Sequence, residues 1–231
     1  MNDAAGATGR EWLTSTWPFV HAHLPSVPAQ VIEVGCGGSG GFVPALQSAG
    51  YQAIGVDPEA PEGPEYRRIE FERHDGVEPV DAVVACTSLH HVADLDEVVD
   101  RISSTLVPGG GLVVLEWAWE RFDEATARWC FARIAATDID HGWLSHHRDE
   151  WLASSAPWGS YLQGWAREHR LHSASDVIAA LANRFDTQLL TPCAYLFPDL
   201  EDTSEADEQA AADAGVIQAT GVRYVGSLRS A

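Results

Sequence analysis

The residues of this chain that could do chemistry begin with a glycine-dense turn. Gly35, Gly37 and Gly40 follow the apolar run 31–34 and satisfy the spacing G-x-G-x-x-G. Glycine adopts positive φ readily and has no Cβ, so such a turn can bring backbone N–H groups against a nucleoside-type cofactor at a helix N-terminus. This spacing is weakly specific by itself, and the segments that follow it must identify the cofactor.

Histidines beside carboxylates are the second chemical feature. His90 and His91 follow an apolar run, and the run 142–151 places His146 and His147 next to acidic residues. Histidine titrates near neutral pH, so a histidine with a neighbouring carboxylate can take the proton of an alcohol. Glutamates that follow an apolar strand can hydrogen-bond the same hydroxyl. The candidate catalytic residues are His91, His146, His147, Glu116 and Glu120.

The same histidine run raises the question of a metal site. His141, His146, His147 and Asp149 carry side chains of the types that bind metals. They lack a recognised ligand spacing on a defined helix, and the four cysteines of the chain are widely scattered without a C-x-x-C pair. The sequence therefore predicts no metal site and no disulfide framework, and this cysteine usage favours a reduced, cytoplasmic protein.

The elements that must position these residues alternate between strands and helices. The segment 81–86 is continuously apolar, which is typical of a parallel strand buried on both faces. Such alternation predicts an α/β fold. Strands are predicted at 30–34, 53–56, near 68–71, at 81–86, 112–116, 185–190 and 221–226, and helices at 10–23 (interrupted at Pro18), 42–49, 94–106, 125–136, 161–170, 174–183 and within 199–213.

The segment 117–170 breaks this alternation. It lacks strand-like runs and holds seven of the nine tryptophans, whose broad indole faces suit ring-shaped ligands. It also follows the fifth strand, at the carboxyl edge of the sheet where ligands bind. We therefore expect one domain, 1–231, in which 117–170 is a Trp-rich helical cap over a second ligand. The acidic run 201–213 is expected to be a solvated helix face and loop.

Composition excludes several classes of partner. The chain has 231 residues, enough for one α/β domain with a sizeable core, and a formal net charge of −20. A surface this negative repels phosphate backbones and anionic lipids, so nucleic acid and membrane partners are disfavoured. No apolar run approaches a membrane span, and the first residues lack the pattern of a secretory signal.

Taken in order, five segments resemble the motifs of class I S-adenosylmethionine-dependent methyltransferases. They are 31–37, 51–57, 71–75, 80–92 and 106–111, and they cover residues 30–116. Each is common alone, but the ordered set is specific. The resemblance implies a Rossmann-like, seven-stranded, mostly parallel sheet with an antiparallel final strand, a helical cap inserted after strand five, and S-adenosylmethionine as cofactor. One departure is an extra residue in the glycine turn, which leaves Gly38 and Gly40 as alternatives for the third glycine.

The resemblance also implies which residues hold the cofactor. Asp57, 22 residues beyond Gly35, would accept both ribose hydroxyls, and Asp75 would accept from the adenine amino group. Glu33 would either contact the methionine ammonium group through water or orient the glycine loop. The cofactor-binding residues expected on this basis are Glu33, Gly35, Cys36, Gly37, Gly38, Asp57, Pro58, His74, Asp75, Cys86 and Thr87.

Two other functions share parts of this pattern. The glycines and Asp57 also fit a nicotinamide-dependent oxidoreductase, but the chain contains no lysine and so lacks a Tyr-x-x-x-Lys pair. A protein that binds S-adenosylmethionine without methyl transfer is also compatible with the motifs.

Methyl transfer to a small-molecule acceptor is the function we expect. Methyl transfer is an in-line displacement on a cofactor that is already activated, so the protein must align the acceptor and exclude water. We predict O-methylation of a hydroxyl on a sugar or secondary metabolite, in which a histidine or glutamate takes the proton. N- or C-methylation is the alternative, and the sequence leaves a homodimer open.

Overall fold

The sheet that carries the site has seven strands. The computed structural model describes residues 3–75, 78–134 and 142–229, with the backbone alone for residues 3–8. In this part of the chain the strands are β1 (Gln30–Val34), β2 (Gln52–Val56), β3 (Tyr66–Arg67), β4 (Val80–Cys86), β5 (Leu106–Trp117), β6 (Phe185–Cys193) and β7 (Gly221–Leu228). Their order across the sheet is β3-β2-β1-β4-β5-β7-β6.

Strand direction brings the chemically interesting ends together. Strands β1 to β5 are mutually parallel, whereas β7 is antiparallel to both β5 and β6. Val34, the last residue of β1, is in register with Val56 of β2 and Ala85 of β4. The carboxyl ends of these strands therefore lie at one edge of the sheet, and the expected Rossmann-like, mostly parallel α/β fold is confirmed.

Helices flank this sheet and continue beyond it. They are α1 (Asp3–Ala22), α2 (Val43–Ser48), α3 (Leu95–Thr105), α4 (Glu124–Phe131), α5 (Trp143–Ser154), α6 (Trp158–Glu168), α7 (Ala174–Ala182) and α8 (Glu205–Asp213). Short 3₁₀ turns lie at Phe71–Arg73, Leu89–His91, Trp119–Arg121 and Phe197–Asp199. Among the described helices, none combines the length and apolar character that a membrane span requires.

Local sequence signals account for several of these boundaries. Asp94 caps α3 by accepting a hydrogen bond from the backbone N–H of Glu97 at 3.0 Å. Ser173 and Asp176 form a capping box at the start of α7. Gly50 follows α2 with φ +97°, the left-handed conformation that commonly ends a helix.

Apolar packing in the described residues divides into three large clusters and one small cluster around Ala118, Ala174 and Val222. Residues such as Ile32, Val83 and Ile102 pack on the sheet face covered by α3 and α7, and Val31, Leu46 and their neighbours pack on the face covered by α1 and α2. A third cluster joins α4, α5 and α6 around Trp158 and Leu162, next to the carboxyl end of β5. This third cluster is built largely from the tryptophans of segment 117–170.

Four expectations from the sequence were wrong in detail. Helix α1 continues through Pro18, because only one helical hydrogen bond is lost and Trp17 and Val20 pack against the core. The third strand lies at Tyr66–Arg67, and residues 71–73 form a 3₁₀ turn instead. Helix α5 was not predicted, because it buries Ser145 and His147 as well as apolar residues, which disguises its helical periodicity.

The fourth correction concerns the acidic run 201–213. The other residues of α8 are exposed or half-buried, but the Glu208 side chain points inward and the residue is only 1% exposed. Its carboxylate accepts hydrogen bonds from the backbone N–H groups of Tyr195 at 3.0 Å and Phe197 at 2.6 Å. A buried carboxylate is retained here because it satisfies backbone donors that would otherwise be unpaired.

Candidate active site

The glycine turn after β1 depends on positive φ angles at Gly35 (+80°) and Gly37 (+63°). A Cβ added to Gly35 would lie 2.2 Å from Cβ of Ser88, so only glycine lets the end of β1 approach the end of β4 this closely. A Cβ on Gly37, in contrast, would meet nothing within 4 Å. The turn therefore leaves an open space over its backbone, where a ligand can approach the main chain.

Asp57, directly after β2, faces this open turn. Its Oδ2 accepts a hydrogen bond from the N–H of Gly37 at 3.0 Å, and its Oδ1 accepts from the N–H of Glu59 at 2.7 Å. A carboxylate offers about four acceptor positions, so both oxygens keep lone pairs for further donors. These lone pairs can accept hydrogen bonds from the two hydroxyl groups of a ribose.

Glu33 lies beneath the same turn and is buried. Its Oε2 accepts a hydrogen bond from the N–H of Phe42 at 2.8 Å, and burial raises the pKa of its carboxyl group to about 8. A Cβ on Gly41 would lie 2.2 Å from the carboxylate, so glycine is required where the loop passes over it. In this structure Glu33 orients the glycine loop, which is one of the two roles expected for it.

Other residues expected near the cofactor occupy different surroundings. Cys36 and Cys86 are buried, and burial raises the pKa of both thiols, that of Cys36 to about 12. The side chain of Asp75 is 87% exposed and pairs with Arg101. His74 has a buried Nε2 atom without a hydrogen-bond partner, and burial lowers its pKa. Pro58 and Gly38 are both exposed.

A cavity of about 590 Å³ opens beyond the carboxyl ends of β4 and β5. Its size suits a small-molecule ligand. Aromatic rings and imidazoles dominate its walls, and neither arginine nor lysine is among the described residues that line it. These walls include Trp12, Trp117, Trp143, Trp165, Tyr195, His90, His91, His146, His147, His169 and Thr87.

A buried histidine–carboxylate pair, His90 and Glu116, stands at this cavity. The two residues are 3% and 0% exposed, and Nδ1 of His90 lies 2.5 Å from Oε2 of Glu116. The other oxygen of Glu116 accepts hydrogen bonds from the N–H groups of Ser88 at 3.0 Å and Leu89 at 2.7 Å. Because Glu116 only accepts, Nδ1 of His90 carries the hydrogen, and in the neutral ring Nε2 is then the nitrogen with the lone pair.

The backbone just before His90 is strained. Thr87 has φ +53°, a left-handed conformation that is uncommon for a residue with a branched Cβ. Its N–H donates to the carbonyl of Leu115 at 2.7 Å, which ties the end of β4 to β5. Such strain is characteristic of functional sites, and here it directs the 3₁₀ turn Leu89–His91 toward the cavity.

Helix α5 places its two adjacent histidines on different sides. His146 is exposed, with Nε2 at 3.1 Å from Oε1 of Glu150. His147 is 3% exposed, and its Nδ1 lies 2.8 Å from the Tyr161 hydroxyl, which donates to Oε2 of Glu150 at 2.9 Å. Burial lowers the pKa of His147 to about 4, so its ring is neutral at physiological pH.

The remaining candidate bases differ in position. His91 lies next to the His90 ring, at 4.0 Å between centroids, and desolvation together with His90 lowers its pKa to about 4. Glu120 lies away from the cavity, where it accepts hydrogen bonds from the N–H groups of Ala174 and Ser175 at the start of α7. The structure thus brings His91, His146 and His147 to one cavity together with His90, and it separates Glu120 from them.

Sequence reasoning did not single out several residues of this site. Trp12 lies on α1 and Tyr195 lies after β6, so their meeting at 6.3 Å between ring centroids depends on the folded chain. The partner of His90 is 26 residues away, on the next strand of the sheet. The His-His run gave the only sequence signal for His90.

No metal site was predicted from the sequence. His141, one of the four side chains considered for it, lies outside the described residues. Across the ranges 3–75, 78–134 and 142–229, no group of three or more histidine, cysteine or acidic side chains is arranged to hold a metal ion.

Comparison with known proteins identifies the family. The family described as "Methyltransferase domain" matches residues 13–155, more than half of the chain. A ubiquinone biosynthesis O-methyltransferase from Bradyrhizobium sp. (strain ORS 278) is 28% identical over 143 residues, which are 55% of this chain and 53% of that protein. The chain thus spans about half the length of this curated relative.

Solved structures share the fold. An S-adenosylmethionine-dependent methyltransferase from Mesorhizobium loti has a TM-score of 0.56 at 16% identity, covering 92% of this chain and 97% of its own. The N-methyltransferase NodS from Bradyrhizobium japonicum WM9, in complex with S-adenosylhomocysteine, has a TM-score of 0.53 at 14% identity. The match covers 99% of this chain and 100% of the NodS chain. The open glycine turn and the lone pairs of Asp57 fit the nucleoside part of such a cofactor. Its sequence match over residues 13–155 shows that the chain belongs to the methyltransferase domain family.

Proposed function

We propose that this methyltransferase is a cytoplasmic enzyme that methylates a hydroxyl oxygen of a small molecule, either a sugar or another secondary metabolite, bound in the 590 Å³ cavity. The observation that carries the proposal is the buried His90–Glu116 pair at the cavity wall. Oxygen is the acceptor atom that most needs a base, because an alcohol keeps its proton at neutral pH. The relative from Bradyrhizobium sp. is named an O-methyltransferase, which agrees with this choice.

In this proposal, four of the residues expected from the sequence form the cofactor half of the site. Asp57 would accept hydrogen bonds from the ribose hydroxyls, while the open backbone at Gly37 borders the nucleoside. Glu33 would hold the loop and Thr87 would border the reacting centre. When bound, S-adenosylmethionine supplies a methyl group that is already activated for displacement. The protein therefore has to bind, orient, exclude water and accept one proton.

His90 is the base in this proposal. Its Nε2 lone pair would accept the hydroxyl proton when the oxygen takes the methyl group, which leaves the cofactor sulfur with the electron pair of the broken bond, and Glu116 would stabilise the imidazolium that results. Glu116 is a positioning residue, because its oxygens are engaged by His90 and two backbone N–H groups. His91, with a pKa near 4, is a weaker base and would contact the acceptor instead.

The segment 117–170 would form the acceptor-binding cap of a single domain. Trp117, Trp143 and Trp165 from this segment line the cavity and pack edge to face with one another. Indole faces bind rings without needing charged partners. This packing supports a flat or ring-shaped acceptor.

Turnover of the His90→Asn variant tests the proposal. Asparagine keeps a donor for Glu116 but has no lone pair at the Nε2 position. We expect kcat with hydroxyl acceptors to fall at least about 100-fold, with cofactor affinity by calorimetry within about threefold of the wild-type value. The assay is formation of S-adenosylhomocysteine over panels of hydroxyl, amine and thiol acceptors.

Two comparisons make this test decisive. His21→Asn, on the exposed face of α1, is the matched control and should retain wild-type turnover. An amine acceptor would need no base, so turnover of amines alone, unaffected by His90→Asn, would refute the oxygen acceptor. Full turnover of an alcohol by His90→Asn would refute the role of His90.

A further inference from the structure

A second histidine in the cavity, His147, has its tautomer fixed by a different chain of hydrogen bonds. The phenol of Tyr161 has one proton, and it donates that proton to Oε2 of Glu150 at 2.9 Å. Burial and this hydrogen bond raise the pKa of Tyr161, so the phenol stays protonated. The Tyr161 oxygen therefore accepts from His147, whose Nδ1 at 2.8 Å must carry the hydrogen.

Both His90 and His147 consequently present an Nε2 lone pair. Within the described ranges, neither Nε2 atom has a hydrogen-bond partner. Neither atom is fully buried, so a ligand in the cavity can reach both. Both residues line the same cavity. Each Nε2 is thus a vacant acceptor for a ligand N–H or O–H group.

The partners of the two rings give them different chemistry. His90 is backed by a buried carboxylate, which stabilises a positive charge on the ring. His147 is backed by a neutral phenol and sits between the rings of Trp143 and Trp165, at 5.4 and 4.5 Å between centroids. A ring in such surroundings remains neutral and accepts a hydrogen bond without taking the proton.

A tryptophan wall separates the two acceptors. Trp117 lies 6.2 Å from the His90 ring and 5.5 Å from Trp143, which in turn contacts His147. A ligand that fills the space beside these rings can therefore meet His90 with one group and His147 with another. The described lining contains no arginine but does contain the carboxylate of Asp199, and the chain contains no lysine, so a phosphate or carboxylate on the ligand is disfavoured there.

We infer, on the basis of the proposed function, that the acceptor is a ring without anionic groups that carries two hydroxyl groups, of which one is methylated at His90 and the other donates a hydrogen bond to Nε2 of His147. His147 is then a specificity-determining residue, and Tyr161 is a positioning residue that holds it in the accepting tautomer. A ligand with one hydroxyl leaves a buried acceptor unpaired and should bind less well.

Matched acceptor pairs test this inference. Dihydroxy rings, both aromatic and saturated, are compared with their singly hydroxylated analogues at saturating S-adenosylmethionine. We expect the wild-type enzyme to favour the diol in kcat/KM by about 10- to 100-fold. In calorimetry on the protein saturated with S-adenosylhomocysteine, the diol should also bind more tightly than its analogue.

Two variants assign the preference to His147. His147→Asn keeps a donor for Tyr161 but removes the acceptor, so kcat/KM for diol and analogue should converge to within about threefold, mainly through the KM of the diol. Tyr161→Phe removes the hydrogen bond that fixes the tautomer and should reduce the preference, mainly by raising the KM of the diol. Tyr224→Phe, whose hydroxyl contacts Thr187 beyond the cavity, is the matched control.

The outcomes separate this inference from the proposed function. If the wild-type enzyme methylates alcohols without preferring diols, or if His147→Asn keeps the preference, the inference is wrong and the proposed function stands. If no hydroxyl acceptor is methylated, the proposed function itself fails. Should His147→Asn not fold, Tyr161→Phe still decides, because an unchanged diol preference in that variant contradicts the inference.

Discussion

At the scale of single residues, the same side chain acquires different chemistry from its partners. His90 is held by the Glu116 carboxylate, His147 by the Tyr161 phenol, and His146 lies exposed beside Glu150. The sequence predicted that histidines of these two clusters line the site, since histidine is the usual neutral-pH base. It could not predict their partners, because those lie on other elements and meet only in the folded chain.

Glu33 leads to a prediction about pH and stability. Burial raises its pKa from the ordinary value of 4.5 to about 8 in the folded chain, so the folded state keeps a proton that the unfolded state releases. Stability therefore falls as pH rises from about 4.5 toward 8, by up to about 1.4 kcal/mol per pH unit from this group. Glu33→Gln lacks the carboxyl group, so this loss of stability with rising pH should be absent. The variant should therefore gain stability relative to wild type between pH 5 and 8.

Urea unfolding at pH 5, 6.5 and 8 measures this effect. The exposed Glu59→Gln serves as the control and should follow the wild-type pH profile. Parallel profiles for wild type and Glu33→Gln would show that Glu33 keeps an ordinary pKa in the folded protein.

At the scale of elements, α8 anchors one wall of the cavity. Glu208 accepts from the N–H groups of Tyr195 and Phe197, and Gln209 accepts from the N–H of Ala194 at 3.0 Å. Tyr195 in turn stacks on Trp117, with 12° between the ring planes. A helix of acidic sequence thus fixes a backbone segment that contacts the ligand space.

Removing this anchor should affect the acceptor more than the cofactor. Glu208→Ala leaves two backbone donors unpaired, which should destabilise the fold by about 2–5 kcal/mol and raise KM for the acceptor at least tenfold. Glu208→Gln keeps one amide oxygen and should recover much of both losses. Chemical denaturation and steady-state kinetics measure the two effects, with the exposed Glu201→Ala as control. An unchanged acceptor KM in Glu208→Ala would contradict the anchoring role.

Elements were predictable where their signals are local. The apolar run of β4, the cap at Asp94 and the glycine at position 50 lie within or beside the elements that they define. Helix α5 was not predicted, because its buried face includes polar side chains. One of them, His147, has its hydrogen-bond partner on α6. The cavity walls from α1 and from the segment after β6 were not predicted either, because packing between distant segments leaves no local pattern in the sequence.

At the scale of the whole molecule, charge is the dominant property. The chain carries 34 acidic and 14 basic side chains, so repulsion between like charges outweighs the attraction of its surface ion pairs. Salt screens this repulsion over about 10 Å at 0.1 M. We expect the thermal unfolding midpoint at pH 7.5 to rise by about 2–8 °C between 20 and 500 mM sodium chloride.

Calorimetry at a second pH separates this effect from other actions of salt. Near pH 5, close to the sequence pI of about 4.6, the net charge is small and the rise should largely disappear. A midpoint that falls with salt at pH 7.5 would mean that specific ion pairs, such as Arg184 with Asp96 and Asp100, outweigh the net charge.

The division of the site between sheet and helices has a consequence for how this protein can be altered. The glycine turn and Asp57 directly follow strands of the sheet, whereas Trp143, His147 and Trp165 of the cavity wall are carried by two consecutive helices, α5 and α6. On the proposed assignment of acceptor and cofactor, exchanging that helical pair, by evolution or by design, would change which molecules are modified without rebuilding the nucleoside pocket. The two specificities would then be inherited on separable pieces of the chain.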